Sequence, residues 1–328
     1  MKQMTLIFVF ALSLMYPAHL GLAKEDNTAS QKEKRKSLYL KTAAVSNIPW
    51  YYLAAIDQYE RNIRSAQKEL PDPNGLSGIL IPDIKWFGLT NPNHKKTDAK
   101  LINLMDGFGQ DGNGDGKADP DNPEDVLYSM AVYLNNYGPN RDNIKIALWK
   151  YYQSGKAVDI ITQIAKVYQT FNTIQLSNHD FPIPLKYNFD YDSTWGARRG
   201  YGGLRIHEGT DIFADYGTPV KATSYGTIEL IGWNRFGGWR VGIRDTQNNY
   251  HYFAHLKGYA DGIKKGSVVK PGQVIGYVGS SGYGPEGTQG KFPPHLHYGM
   301  YRYNGKTDYS FDPYPYLRQW QQQAKQEK

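Results

Sequence analysis

After Asn178 the chain changes from long stretches with helical periodicity to short runs of β-branched and aromatic residues that glycines separate. Such runs occupy residues 226–231, 240–243, 250–256 and 274–278. Short strands with closely spaced turn signals are typical of antiparallel sheets, in which tight turns join neighbouring strands. We therefore expect an antiparallel β domain over residues 178–328.

The first half of the chain has the apolar spacing of amphipathic helices. Pro49 suits the first turn of a helix in which Leu53, Ile56 and Glu60 follow at helical intervals. Further helices are predicted at 123–137, 142–152 and 158–173. A chain of 328 residues can bury two separate cores. We predict an α+β multidomain protein whose all-α domain covers residues 46–177.

The amino terminus has the pattern of a secretory signal peptide. Lys2 precedes an apolar run at 5–16 that is too short to span a bilayer, and Ala23 supplies a small residue for cleavage. We interpret residues 1–23 as a signal peptide, with an uncleaved anchor as the alternative, and residues 24–45 as a polar leader. The expected protein is exported and extracytoplasmic, has no membrane association after cleavage, and contains no cysteine for disulfides.

The composition is basic, with a formal net charge of +7. A positive field favours an anionic environment such as a cell wall or a nucleic acid, but it does not define a function. The basic run at 32–36 is short and lies in a polar stretch, so we expect no nucleic-acid partner.

Three short motifs of the second half combine histidines with a carboxylate. On a strand, His295 and His297 would face the same way, because residues two apart share a face. His207 and Asp211 are four residues apart, and the glycine between them favours a loop over a helix. Two histidines and one carboxylate suit a tetrahedral zinc ion whose fourth position stays open for water. We predict one zinc ion per chain, with further imidazoles available for proton transfer.

The remaining histidines differ in their relation to this set. His255 lies in an alternating aromatic run, where His251 on the same run competes for its role. His94 and His179 fall in predicted loops and are not expected to take part.

The motifs that carry this pattern are Trp195-Gly-Ala-Arg198, His207-Glu-Gly-Thr-Asp211, Gly217-Thr-Pro-Val220, Ala254-His255-Leu256 and Pro294-His295-Leu296-His297. With them, residues 181–317 resemble the lysostaphin-type (LytM) zinc metallopeptidases, which cut peptidoglycan peptides. The site residues that the resemblance implies are the zinc ligands His207, Asp211 and His297 and the catalytic, non-ligand histidines His255 and His295. It does not decide which of the last two is the base.

The helical half has a weaker resemblance, carried by the stretch from Ile48 to Glu60, to the first catalytic helix of lysozyme-like lytic transglycosylases. There the glutamate is a general acid, which requires a raised pKa. Here Arg61 replaces the usual serine, and residues 78–82 stand where a glycine-rich loop is expected. Because a cation beside Glu60 would lower its pKa, we expect a degenerate domain that positions glycan strands.

Asp111, Asn113, Asp115 and Asp119 match the start of a calcium-binding loop. The twelfth position is Asn122 instead of a bidentate glutamate. Any Ca²⁺ site over these residues is therefore expected to be weak.

The layout of the whole chain resembles the L-Ala–D-Glu endopeptidases of spore-forming bacilli. This implies a zinc endopeptidase that cuts stem peptides of peptidoglycan, in the cell wall or the spore cortex. Two alternatives are a lytic transglycosylase or muramidase that acts through Glu60, and a non-catalytic LytM-like scaffold. Such scaffolds typically lose ligands, whereas this chain retains them.

Overall fold

The computed structural model describes residues 18–67, 73, 75–93, 97–200 and 205–326. Of the predicted signal peptide at residues 1–23, residues 1–17 lie outside the described residues, and residues 18–23 are the start of the first helix. Within the described ranges, every helix is too short or too polar to be a candidate for crossing a bilayer.

The first half of the chain is helical. Its helices are α1 (Ala18–Ser46), α2 (Trp50–Ala66), α3 (Asp83–Phe87), α4 (Ala99–Leu104), α5 (Pro123–Asn135), α6 (Arg141–Tyr152) and α7 (Gly155–Phe171). The buried residues Leu53 and Ile56 of α2 pack with Ile160 and Ile164 of α7 in one core. Ser154 caps α7 by accepting a hydrogen bond from a backbone amide. The three helices predicted after residue 120 agree with α5, α6 and α7 to within three residues.

The structure differs from the expected polar leader at residues 24–45, because this stretch belongs to α1. Tyr39 is fully buried, and its hydroxyl donates a hydrogen bond of 2.7 Å to Asp57 of α2. Arg35 forms an ion pair of 2.7 Å with the same carboxylate. The sequence of this segment is polar because few of its side chains reach the core. A buried ion pair, not an apolar stripe, holds it against α2.

The second half is an antiparallel sheet with one additional helix. Its elements are β1 (Phe189–Asp190), β2 (Arg198–Arg199), β3 (Arg205–Ile206), β4 (Thr210–Ala214), β5 (Pro219–Lys221), β6 (Gly226–Asn234), β7 (Gly238–Asp245), β8 (Asn249–Tyr259), β9 (Val268–Val269), β10 (Val274–Val278), β11 (His295–Tyr303), β12 (Asp308–Phe311) and α8 (Tyr314–Gln326). The main sheet has the order β1-β4-β11-β8-β7-β6-β9, with β12 on β11 and with β10 joining β8 to β5. The predicted α+β order of helices followed by an antiparallel sheet is confirmed.

The sheet has a core face and a cleft face, as period-two alternation requires. Phe253 of β8 and Tyr298 of β11 are buried in the core, where Trp320 of α8 covers them. Their strand neighbours Tyr252 and His297 line a cavity on the opposite face. Alternation along two adjacent strands therefore positions the candidate site.

The two halves pack against each other. Helix α7 contacts β6, β7 and β9, and Tyr303 of β11 joins the helical core. Asn62 of α2 donates a hydrogen bond of 3.0 Å to the carbonyl of Thr246. Apart from Tyr303, the buried residues of the helical core all lie before residue 177, and those of the sheet core all lie after residue 180. The domain boundary that we propose near residue 178 falls between these two sets.

Candidate metal centre and active site

The register of β4 and β11 places Asp211 directly opposite His297. His207 comes just before β4, so its imidazole reaches the same point. The Oδ1 atom of Asp211 lies 3.0 Å from Nε2 of His207 and 3.0 Å from Nδ1 of His297. The two imidazole nitrogens are 2.9 Å apart. Three donor atoms of the types that zinc prefers therefore form a small triangle.

This triangle fits a tetrahedral ion. Zinc bonds of roughly 2.0–2.1 Å place neighbouring ligand atoms about 3.3 Å apart. The observed separations are close to this edge length. Within the part of the chain that the structure describes, no other set of three histidine, aspartate, glutamate or cysteine side chains brings its ligand atoms within 4.8 Å of one another.

Gly209, between His207 and Asp211, allows the close approach of the third ligand. A Cβ atom at this position would lie 2.6 Å from Cε1 of His297 and 2.7 Å from the carbonyl oxygen of Tyr298. Both contacts are too short for a side chain, so the chain requires glycine where it passes under the imidazole.

Two further imidazoles flank the cluster in the same orientation. The Nδ1 atoms of His255 and His295 lie 2.7 Å and 2.9 Å from the carbonyl oxygens of Ser281 and Pro293. Because a carbonyl only accepts hydrogen bonds, we assign the proton to Nδ1 in both rings, which leaves Nε2 unprotonated. Nε2 of His295 is 3.9 Å from Asp211. Both rings therefore have a free nitrogen available for proton transfer.

Burial and neighbouring charges set the protonation states of these groups. Burial lowers the pKa of His255 to about 3, and the adjacent His295 and His297 add to the effect. Burial also lowers the pKa of His295. Burial alone would raise the pKa of Asp211, but hydrogen bonds with His207 and His297 hold it well below its usual range. At neutral pH the cluster therefore has one carboxylate facing neutral flanking imidazoles.

The backbone at His255 is strained. Its φ is 61°, in the left-handed region that only a few per cent of residues other than glycine adopt. A hydrogen bond of 2.8 Å from its amide to the carbonyl of Gly237 holds this conformation. Strain of this kind is concentrated at functional sites, where the surrounding structure over-determines it.

The cluster opens into a cavity of about 680 Å³. Aromatic side chains of Phe236, Tyr252 and Phe292 line it. Arg199 also lines it and donates a hydrogen bond to Oδ2 of Asp211. None of these four residues was expected from the sequence. Regular alternation from His255 would place Phe253 on the cleft face and Tyr252 on the core face. The left-handed backbone at His255 interrupts the alternation, so the sequence pattern gave no signal for Tyr252.

The five predicted site residues meet in this one cavity, and their roles are proposals below. His251, which competed with His255, is fully buried on the opposite face, where Nε2 lies 3.0 Å from Asp245. His179 stacks on Trp320, with ring centres 4.9 Å apart. His94 lies outside the described residues.

The sequence model of peptidase family M23 matches residues 205–309, which include every residue of the cluster. Along its whole length the chain is 54% identical to the L-Ala–D-Glu endopeptidase of Bacillus subtilis (strain 168), with all of both chains aligned. The chain belongs to peptidase family M23. The resemblance inferred from the sequence motifs is therefore confirmed, and the chain is an enzyme.

Two further proteins are similar to part of the chain. Lysostaphin from Staphylococcus simulans is 34% identical over 141 residues, which cover 39% of this chain and 27% of lysostaphin. The crystal structure of a putative glycyl-glycine endopeptidase, lytM, from Ruminococcus gnavus is 36% identical, with a TM-score of 0.41. That match covers 56% of this chain and 73% of the other.

In the helical half of this M23 peptidase, the expectation that Arg61 lowers the pKa of Glu60 is wrong. Arg61 turns away and donates a hydrogen bond of 2.8 Å to Asp57. Burial raises the pKa of Glu60 to about 7, although a hydrogen bond of 2.8 Å from Tyr152 and the positive charge of Arg64 both act to lower it. Residues four apart are neighbours on a helix and consecutive residues are not, so the spacing of Asp57 and Arg61 was a signal that the expectation did not use.

In the loop predicted to bind calcium, backbone amides surround the carboxylates. Asp111 accepts hydrogen bonds of 2.7 Å from the amides of Gly114 and Gly116. Asp125, outside the predicted set, accepts bonds of 2.8 Å and 2.9 Å from Gly112 and Asp119. These bonds explain the fold of the loop, and calcium binding stays a prediction.

Proposed function

We propose that this M23 enzyme is a zinc-dependent endopeptidase in which His207, Asp211 and His297 hold the metal. The observation that carries the proposal is the triangle of two imidazole nitrogens and one carboxylate oxygen at 2.9–3.0 Å, beside two imidazoles with free Nε2 atoms. A zinc ion bound there supplies a Lewis acid for the scissile carbonyl and for the activation of water.

We assign the proton transfers to His255 and His295. One of them accepts a proton from the attacking water at Nε2 and returns it to the leaving amine. The other imidazole, when protonated, stabilises the negative charge that develops on the carbonyl oxygen. The hydrogen bonds to Ser281 and Pro293 fix both rings before substrate arrives, so neither must reorient during the reaction.

The substrate that we propose is the stem peptide of peptidoglycan, cut between L-Ala and D-Glu. The support is the identity of 54% over the full length of a relative named for that bond. The basic character of the chain suits an anionic wall polymer, and we place the enzyme outside the cytoplasm, at the cell wall or spore cortex. In this proposal the helical half contacts the glycan strands.

Mass spectrometry of digested peptidoglycan tests the proposal directly. We expect fragments that end in L-Ala and fragments with a new amino-terminal D-Glu, and no new sugar ends. A zinc chelator should stop their formation, and added zinc should restore it. Cleavage at a different amide bond would refute the proposed bond, and full activity under chelation would refute the metal.

A second candidate activity, glycan cleavage through Glu60, has one observation in its favour, the raised pKa of that carboxyl. A Glu60→Gln variant separates the two activities. We expect peptide cleavage at the wild-type rate and no reducing or anhydro sugar ends from either protein. Sugar ends that the wild type produces and Glu60→Gln does not would establish the glycan activity instead.

The same variant should alter the pH dependence of stability. A carboxyl whose pKa rises from 4.5 to about 7 on folding stabilises the protein below pH 4.5 and loses that contribution as pH rises through about 7. Relative to wild type, Glu60→Gln should therefore gain roughly 2 kcal/mol in unfolding free energy between pH 5 and pH 8. Urea unfolding at both values measures this. Glu33→Gln, an exposed substitution on α1, should not change the difference.

A further inference from the structure

A second cavity, of about 380 Å³, continues the catalytic cavity along the cleft face of the sheet. Asn234, Tyr252 and Tyr301 line both cavities. The ring of Tyr252 lies 5.9 Å from the ring of His297 and 6.4 Å from that of Tyr301. A peptide held at the metal cluster can therefore extend over these tyrosines into the second cavity.

Most charges that line the second cavity neutralise one another. Arg244 pairs with Glu229 at 2.9 Å and with Asp308 at 3.2 Å. Lys156, contributed by α7 of the helical half, pairs with Glu229 at 2.8 Å and with Asp308 at 3.5 Å. These two cations and two carboxylates form a closed network. Its members have partners and offer little to a ligand.

Arg240 is the remaining cation of this cavity, and it has no ion pair with any residue that the structure describes. Its Nε atom is shielded from solvent and has no hydrogen-bond partner there. A guanidinium that has lost part of its hydration and has unused donors binds a carboxylate more strongly than an exposed one. The cavity thus has one uncompensated positive charge.

The position of Arg240 relates it to the reaction. A Cβ atom built on Gly237 would lie 2.4 Å from the hydroxyl of Tyr252 and 3.4 Å from Cδ of Arg240, so the three side-chain positions are adjacent. Burial raises the pKa of the Tyr252 hydroxyl, and Arg240 opposes this by approaching it closely. One tyrosine therefore separates the guanidinium from His297.

We propose that Arg240 binds a free carboxylate of an acidic peptide substrate and so selects the peptide that this enzyme cuts. The inference rests on the proposed function. A glutamyl residue joined to a chain through one of its carboxyl groups keeps the other one free, next to the bond between L-Ala and D-Glu. A planar guanidinium pairs with such a group through two parallel hydrogen bonds, which a carboxamide cannot replace.

The test compares soluble peptides that contain the L-Ala–D-Glu bond. One has the free glutamyl carboxylate, a second has a carboxamide in its place, and a third has a carboxamide at the carboxylate of the following residue. We expect zinc-loaded wild type to prefer the first peptide to the second by about 10- to 100-fold in kcat/KM, mainly through KM. Arg240→Gln should reduce this preference to within about threefold, and Arg240→Lys should give an intermediate value.

Arg235→Gln is the matched control, because it removes the same charge from an exposed position that lines neither cavity. It should keep the wild-type preference. Titration calorimetry with the product peptide that begins at D-Glu adds a readout that needs no turnover. We expect Arg240→Gln to bind it about 10-fold or more weakly than wild type.

The outcomes separate this inference from the proposed function. Discrimination against the third peptide that depends on Arg240 would support the guanidinium–carboxylate contact and assign it to the following residue. Equal cleavage of all three peptides by wild type would overturn the inference without any variant, as would an unchanged preference in Arg240→Gln. Failure of wild type to cut any L-Ala–D-Glu peptide would overturn the proposed function instead.

Discussion

A His255→Asn substitution should reduce turnover by about 10²–10⁴-fold and leave one zinc ion bound per chain. His255 is not part of the triangle of ligand atoms, and its Nε2 atom is free for proton transfer. Asparagine suits the test because it tolerates the left-handed backbone at φ 61° better than alanine does. The measurements are kcat/KM on a stem peptide and metal content by elemental analysis.

Two controls surround this experiment. His207→Ala removes a ligand and should lose both zinc and activity, since two donors hold the ion far more weakly than three. His179→Gln changes a histidine that stacks on Trp320 outside the cavity and should retain both. An active, zinc-free His207→Ala protein would refute the metal assignment, and a fully active His255→Asn would remove His255 from the mechanism.

Asp57→Ala should destabilise the protein by about 3–5 kcal/mol, because it leaves two largely buried arginines without their shared counter-ion. The carboxylate is fully buried between Arg35 and Arg61, at 2.7 Å and 2.8 Å, and also accepts a bond from Tyr39. It joins α1 and α2 to the segment at Gly78. Denaturant unfolding at pH 7 measures the loss.

The pH dependence gives an independent check. Burial alone would raise the pKa of Asp57, but Arg35 and Arg61 hold it below its usual value. The stabilisation is therefore present above the unfolded pKa of about 3.9 and is lost as pH falls through the lowered folded value. Lys41→Ala breaks an exposed ion pair with Glu124 and should cost no more than about 1 kcal/mol. An equally small cost for Asp57→Ala would contradict the account.

Part of the geometry of the candidate site could be predicted, because it follows from short-range rules. His295 and His297 share a face through the period of the strand, and Asp211 is only four residues from His207. What the sequence does not encode locally is the strand pairing. The registers of β4 and β8 against β11 bring His207 and His255 to the same point, and motif resemblance, not spacing, indicated that they meet.

The helical half was less predictable for a physical reason. Helix α1 is held by a buried ion pair whose partners are 22 residues apart, and such a contact leaves no periodic pattern in the chain. Arg61 is different, because Asp57 precedes it by four residues, the spacing at which side chains on a helix are neighbours, whereas the consecutive Glu60 and Arg61 do not face each other. Its partner could therefore have been predicted from the helical spacing. Arg240 was missed because its importance depends on which neighbouring cations are already paired.

The contribution of Lys156 to the second cavity has a consequence for protein engineering. The side chain comes from the helical half, yet it completes the charge balance around Glu229 and Asp308 on the sheet. A chimaera that joins this sheet domain to a different helical domain would lose the lysine and leave Arg244 to pair with both acids, so the second cavity would carry one excess negative charge. This excess charge would repel anionic peptides, so such a hybrid would need a replacement lysine, or a neutral residue in place of one acid, to restore the charge balance.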